Sequence, residues 1–302
     1  SYPIDSQHAS LSAERFLRDE GFSHSILVDL KRQEGAILLN GRPIPAKTLM
    51  PEGSLLTIHI TDSAASSSID PVPMDLSIVY EDEDLMILNK PAGLPVHPSM
   101  GHRDDTLANG LSWYFKEKGE DFAFRAISRL DRDTTGLLII AKNNASACLL
   151  SRQVSHQLIE KEYLAAASGC IPESGTIDAP IRRADDSVIE RMVDLSCGDP
   201  ARTHYERLFY DPVSDLSLAR IRLETGRTHQ IRVHFLHIGH PLTGDFLYNP
   251  DFSRISRQAL HSWKLRFLHP ITKAPMQFTA PMPDDMIALF PSYSEAHLNP
   301  FG

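Results

Sequence analysis

The segment ISRLDRDTTGLLIIAK, Ile127 to Lys142, alternates aspartate with arginine and then runs through a Thr-Thr-Gly turn into the apolar stretch Leu137 to Ala141. A carboxylate beside a buried strand either finds a partner or becomes protonated. Arginine is the natural partner, because its planar fork matches a carboxylate with two hydrogen bonds. An aspartate kept ionised and aimed in this way is a candidate nucleophile or proton-transfer group. The plainer account is a solvated surface loop, which also explains charges ahead of a strand. What counts against it is the confinement of Asp131-Arg132-Asp133-Thr134-Thr135-Gly136 between Ile127, Leu130 and the apolar run.

Those residues need elements to position them. LSAERFLRDEG predicts a short helix capped by Ser12 and stopped at Gly21, and SHSILVDLKRQEG a second one ending at Gly35. AILLNGRPI predicts a strand entering an Asn40-Gly41 turn, and PEGSLLTIHI a turn and strand. These 50 or so residues are few for an independent core. TDSAASSSIDPVPM, Thr61 to Met74, has a linker's composition. Beyond it, LSIVY-EDED-LMILN predicts a hairpin running into the proline-punctuated loop KPAGLPVHPS. DDTLANGLSWYFKEKG predicts a helix with aspartate caps. NASACLLSRQVSHQLI predicts another, with Leu150, Val154 and Leu158 in phase. EYLAAAS, THYERLFY and LSLARIRLE predict antiparallel strands, and THQIRVHFLHIG a helix ending at Gly239. With few βαβ alternations, the pattern fits an α+β fold better than a doubly wound sheet. The expected division is a small unit over residues 1–62, a linker over 63–74 and a larger unit over 75–302.

The chain has 302 residues, enough for a large domain and a small one. No apolar run approaches the ~20 residues of a membrane span, and no basic-then-apolar start marks a signal peptide. Three widely separated cysteines contain no CxxC pair. A disulfide framework or zinc-thiolate site is therefore not expected, and a reducing cytoplasm is. The net charge of −9 argues against a polyanionic partner, but eight Lys/Arg lie between Leu216 and Arg266, so a local basic region is compatible with an acidic total.

Five segments in order, ILNKPAGLPVHPS, RLDRDTTGLLIIAK, KEYLA, LETGRTHQIRVHFLHIGHPLTGDFLY and ALHSWKLRFLHP, closely resemble the RluA-type RNA pseudouridine synthases. The likeness covers roughly residues 75–283. More diffusely, residues 11–60 resemble the small RNA-binding module named after ribosomal protein S-four, in their helix-helix-strand order and the turn Leu39 to Gly41.

The resemblance implies a mixed, largely antiparallel sheet with flanking helices and a central cleft. It implies isomerisation of specific uridines in structured RNA, with large-subunit ribosomal RNA the first expectation and transfer RNA the second. No cofactor, metal or protein partner is implied. Asp131 would be the catalytic aspartate, Arg232 its ion-pair partner, and Tyr163 the ring stacked on the displaced uracil. Arg129, Arg132, Thr134, Arg227, His229 and Gln230 would contact the RNA substrate, and Lys31, Arg32 and Arg42 would form the small module's RNA face. The uridine would have to leave its stack to be reached. Many members have His before Arg-Leu-Asp. Ser128 stands there in this chain, which puts substrate contacts in question more than chemistry.

Two other classes fit parts of the pattern. A non-catalytic RNA-binding or ribosome-assembly factor would share the fold but has no use for an intact Asp131, Tyr163 and Arg232. An aspartate-nucleophile phosphatase would use the spacing DxDxT at Asp131 to Thr135, but it wants its apolar strand before the first aspartate, and here the strand follows. His229, His234, His237 and His240 are spaced five, three and three apart, which does not keep all four on one helix face, so a metal site is not expected there.

Overall fold

The structure, a computed structural model, describes residues 1–60, 69–99 and 101–294. The first unit comprises β1 (Tyr2–Pro3), α1 (Ala13–Glu20), α2 (His24–Arg32), β2 (Ile37–Leu39), β3 (Arg42–Pro43) and β4 (Leu55–Ile58). Ser12 and Ser23 cap the two helices through their hydroxyls, and Gly21 closes α1 in the left-handed conformation. The strands form one sheet in the order β1-β4-β2-β3. The small size of this unit is met by sharing. Its apolar cluster, which includes Phe16, Leu17, Phe22, Leu27 and Leu56, also takes in Ala145 and Leu149 from a helix of the larger unit. The first half of the expected linker, residues 63–68, lies outside the described residues, as do residues 61–62.

The larger unit runs β5 (Ile78–Glu81), β6 (Leu85–Lys90), α3 (Leu107–Lys118), β7 (Thr135–Ala141), α4 (Asn144–Ser155), β8 (Glu160–Ser168), β9 (Ser174–Asp178), β10 (Ile181–Arg183), β11 (Arg191–Val193), β12 (Arg202–Asp211), β13 (Leu216–Leu223), α5 (Gln230–His237), β14 (Leu260–Leu268), β15 (Pro275–Thr279) and α6 (Asp284–Ile287). Its main sheet has the order β5-β6-β7-β14-β8-β13-β12-β9, with β15 paired to β14. Among the described residues, only the β7–β14 pairing in this sheet is parallel. The α+β expectation holds.

Two local expectations need correction. The cap of α3 is Thr106, which forms a reciprocal capping box with Asn109, rather than an aspartate. On α4 the buried face is Ala145, Ser146, Leu149, Leu150 and Gln153, while Val154 is exposed, and Leu158, also exposed, lies beyond the end of the helix at Ser155. This helix is wedged between the sheet and the small unit, which shifts its apolar stripe. Cys148 and Arg152 on it reach the carbonyls of Gly21 and Asp19.

The central pairing explains the Thr-Thr-Gly turn. β7 and β14 meet at His261 opposite Thr135 and Ser262 opposite Gly136. The Thr135 hydroxyl and His261 Nδ1 are 2.8 Å apart. Gly136 has φ +107°, and a Cβ there would lie 2.2 Å from the Ser262 carbonyl oxygen. No side chain fits that space. Gly136→Ala is therefore expected to destabilise the protein by about 1–3 kcal/mol. It should lower the midpoint of urea unfolding, and an unchanged midpoint would contradict this account of the β7–β14 contact.

Candidate active site

Asp131 sits one turn before β7. The N–H of Thr134 donates to its carbonyl at 3.1 Å, closing that turn. Lys90, 1% exposed at the end of β6, pins the turn from below. Its ammonium donates to the carbonyls of Pro91 (2.8 Å), Leu94 (2.9 Å) and Arg132 (2.7 Å). Burial pushes this group down to about 7, against the opposing charges of Asp133 and Asp131. Three carbonyl acceptors satisfy the donors of the buried ammonium. The Lys-Pro of the NKPAG loop and the Asp131 turn are thereby tied together.

Helix α5 delivers Arg232. Residues Gln230 to Phe235 are all buried, so the first six residues of the helix lie inside the unit, and Leu236 and His237 at its end are exposed. It starts from His229, which holds a left-handed conformation (φ 57°, ψ 18°) that costs a non-glycine residue free energy. The Arg232 guanidinium donates to both oxygens of Asp245, from Nε at 2.6 Å and Nη2 at 2.7 Å. Its remaining arm, Nη1, donates to Asp131 Oδ2 at 2.9 Å. The rings of Phe246 and Tyr248 lie 5.2 and 5.1 Å from the guanidinium carbon. Burial opposes the arginine's charge, but the hydrogen bonds and charges of Asp245 and then Asp131 outweigh it and raise its pKa. Asp245 is fully buried and also accepts the N–H groups of Leu247 and Tyr248. Asp131 keeps 29% of its side chain exposed, so one face of the carboxylate remains open to a ligand.

The opening is a cavity of about 730 Å³. Tyr163, on β8 beside Ile221 of β13 and Ser262 of β14, forms part of its wall and is 7% exposed. Burial, and secondarily the Asp131 charge, lift its hydroxyl above the usual range, so it is a neutral donor at physiological pH. Leu130, Ile231 and Leu260 complete an apolar floor next to it. An apolar floor with a few convergent polar groups suits a heterocyclic base and its sugar.

The expected site residues divide. Asp131, Arg232, Tyr163, Arg129, Arg227 and His229 converge on the cavity, as does Ser128. Arg129 is exposed at the rim and donates to the Thr228 hydroxyl at 3.2 Å. His229 Nε2 is 3.9 Å from Asp131 Oδ2 and its Nδ1 is 3.0 Å from the Tyr248 hydroxyl. Burial pushes this imidazole down to about 4, so it stands neutral near Asp131. Thr134 and Gln230 line the cavity but are committed within the protein. The Thr134 hydroxyl accepts from Gln258, and Gln230 spends its oxygen on Thr225 and Arg227 and its amide on Arg202 and Thr203. The Gln230 amide is thus engaged at both its oxygen and its nitrogen, while the Thr134 hydroxyl accepts one bond and keeps its own proton to donate. Arg132 is outside the lining and pairs with Asp133 at 2.9 Å. Lys31, Arg32 and Arg42 are in the first unit, also outside the lining, and Lys31 pairs with Glu14 at 2.7 Å.

The basic segment 216–266 is likewise divided. Arg222, Arg227 and Arg232 line the cavity, whereas Arg257 pairs with Asp285, Arg266 with Glu160 and Arg220 with Glu206. Of the four histidines weighed as a metal set, His234 is buried against Thr203 and Ala179, and His240 bonds the Ser168 carbonyl. Away from the cavity, donor atoms of Asp82, Asp84 and His269 lie within 4.8 Å of one another. They are taken up by Tyr80, Asn143, Ser146 and backbone N–H groups.

Sequence reasoning missed Asp245 and Lys90 as parts of the site. The signal for Asp245 was indirect: a buried arginine that serves Asp131 with one arm needs a counter-charge for the other two.

The chain is similar to known proteins in both sequence and backbone. The sequence profile described as RNA pseudouridylate synthase matches residues 84–237. The uncharacterized RNA pseudouridine synthase YjbO of Bacillus subtilis is 37% identical over 282 residues, spanning 92% of this chain and 98% of its own. Ribosomal large subunit pseudouridine synthase D of Escherichia coli is 37% identical over 270 residues, spanning 84% of this chain and 81% of its own. Among solved structures, Human RNA Pseudouridylate Synthase Domain Containing 1 superposes with a TM-score of 0.58 at 29% identity, over 68% of this chain and 83% of that one. Likeness of that extent, in sequence and in backbone together, reflects common descent: the chain belongs to the RNA pseudouridylate synthase family, whose members isomerise uridine within RNA.

Proposed function

We propose that this isomerase acts on large-subunit ribosomal RNA in the cytoplasm, with Asp131 as its catalytic carboxylate. The observation that carries the chemical part is the chain Asp131–Arg232–Asp245, in which one buried guanidinium holds an exposed-faced carboxylate at the cavity. The net change in such a reaction is that the base-to-sugar bond moves from uracil N1 to C5. The C5 proton leaves and N1 gains one. Positive charge develops on the sugar as the base departs, and an ionised carboxylate is the group suited to meet it. Tyr163 supplies a ring for the base and a neutral hydroxyl for a proton transfer. The target uridine is swung out of its stack into the cavity. Several relatives, the Escherichia coli one among them, are ribosomal large subunit pseudouridine synthases, which supports ribosomal RNA as the substrate.

The test is chemical mapping of pseudouridine in cells with and without the protein. Loss of one or a few sites in large-subunit RNA is expected. Loss in transfer RNA instead would overturn the substrate, and no loss anywhere would overturn the activity.

We further propose that residues 1–60 form an S-four-like RNA-binding unit, supported by their two capped helices and separate sheet. Deleting them would uncover Ala145 and Leu149, so charge replacement is the cleaner test. Replacing Lys31, Arg32 and Arg42 together with Gln should weaken RNA binding roughly tenfold at moderate salt and flatten the salt dependence, leaving kcat unchanged. Binding measured by filter retention with unaltered affinity and slope would remove the assignment. Lys31, already paired with Glu14, should contribute least.

A further inference from the structure

Lys161 stands two residues before Tyr163 on β8. Alternation along a strand puts both side chains on one face, roughly 7 Å apart, and both line the cavity. Lys161 is half-buried. Among the described residues its ammonium has neither a carbonyl nor a carboxylate partner, and burial alone pushes it down to about 8. The contrast with the other cations of this region is plain. Lys90 has three carbonyls, and Arg232 has two carboxylates. The acids that share the cavity are engaged elsewhere: Asp131 with Arg232, Glu160 with Arg266, and Glu224 with His204 and Arg202. A half-buried ammonium without a counter-charge is unfavourable in the free protein, and its place in the cavity wall points to a ligand that supplies one.

We propose that Lys161 binds a phosphodiester of the RNA, the one adjoining the uridine held at Asp131. This rests on the isomerase reading above. Uracil is neutral and would leave the ammonium uncompensated, whereas each nucleotide brings one negative charge. The position agrees. Tyr163 and the apolar floor take the base, while Lys161, on the same strand between Tyr163 and the exposed Glu160, lines the same cavity. Arg129, Arg222 and Arg227 also line this cavity, so the RNA backbone meets several cations as it crosses the opening. Phosphate and ammonium form a charge-assisted hydrogen bond in a partly dry wall, where such bonds are strong.

The experiment uses the full chain and a hairpin of about 20 nucleotides carrying a uridine mapped as above. The linkage beside that uridine is either a phosphodiester or an uncharged methylphosphonate, with a 2′-O-methyl sugar protecting it in both. Binding is measured in the Asp131→Asn background. Lys161→Met is expected to weaken binding of the charged hairpin about tenfold or more and to reduce the salt slope by about 0.7–0.9. With the methylphosphonate hairpin, Lys161→Met and its parent should bind equally, because the partner is gone. Lys161→Arg should keep most of the affinity. In otherwise wild-type protein, Lys161→Met should raise KM far more than it lowers kcat. It should also leave thermal stability unchanged or higher, since it removes an unpartnered charge, whereas a structural lysine would lower it. Independent, additive effects of the methylphosphonate and the Met substitution would overturn the proposal, as would unaltered binding of the charged hairpin. Pseudouridine formation by the wild type on the same hairpin is the separate control. Its absence strikes the isomerase reading, while normal turnover with an indifferent Lys161→Met strikes only this one.

Discussion

Asp131→Asn is expected to abolish pseudouridine formation and to leave RNA binding and folding nearly intact. The substitution conserves shape and leaves an amide oxygen for the Arg232 Nη1 hydrogen bond, now 2.9 Å long to Oδ2. What disappears is the negative charge that meets the sugar as the base leaves. Loss of a nucleophile or charge-stabilising group acting only in the transition state lowers kcat by at least about 10³-fold. The carboxylate is 29% exposed and the partner arginine keeps Asp245, so stability should move little. Release of tritium from RNA labelled at uridine C5 measures the activity, and filter binding measures the RNA. Residual activity within tenfold of wild type would remove Asp131 from the chemistry.

Arg232→Met has the second large effect, on stability as well as rate. The guanidinium is 1% exposed and Asp245 is 0% exposed. Removing one partner of a buried pair leaves an uncompensated carboxylate, at a cost of about 3–5 kcal/mol. It also releases Asp131 from its only arginine hydrogen bond among the described residues, so activity should fall by about 10² or more even where the protein stays folded. Stability and catalysis separate in the double variant Arg232→Met/Asp245→Asn. The amide can still accept from the N–H groups of Leu247 and Tyr248, and no buried charge remains. Urea unfolding should show most of the lost stability restored, with activity still down. Recovery of activity along with stability would mean that Arg232 serves the fold alone.

The meeting of Asp131, Arg232 and Tyr163 at one cavity was legible in the sequence through the short motifs that carry them. That Arg232 reaches Asp131 across 101 positions is a property of the packed sheet, which brings α5 under the β7 turn. Asp245 looked like an ordinary loop acid. Its burial arises only when the residues after α5 fold back and place Phe246 and Tyr248 over the guanidinium. Thr134 and Gln230 line the cavity as expected, but the sequence did not show that they also bond neighbours far apart in the chain, such as Gln258 and Thr203. The basic segment failed as a unit for the same reason. Charge counts along a strand do not reveal that Asp285 or Glu160 waits at the other end. Strands β1, β9, β10, β11 and β15 escaped notice because they are two to five residues long, too short for a pattern of period two to stand out. Gly136, by contrast, was legible as a turn residue, though the reason, a strand carbonyl occupying its side-chain space, was not.

The most direct test is a structure of the Asp131→Asn protein bound to RNA containing its mapped uridine. The account predicts that nucleotide extruded into the cavity, its base against the Tyr163 ring and its sugar within hydrogen-bonding reach of residue 131. A uridine still stacked in its helix, or bound with its sugar turned away from residue 131, would contradict it.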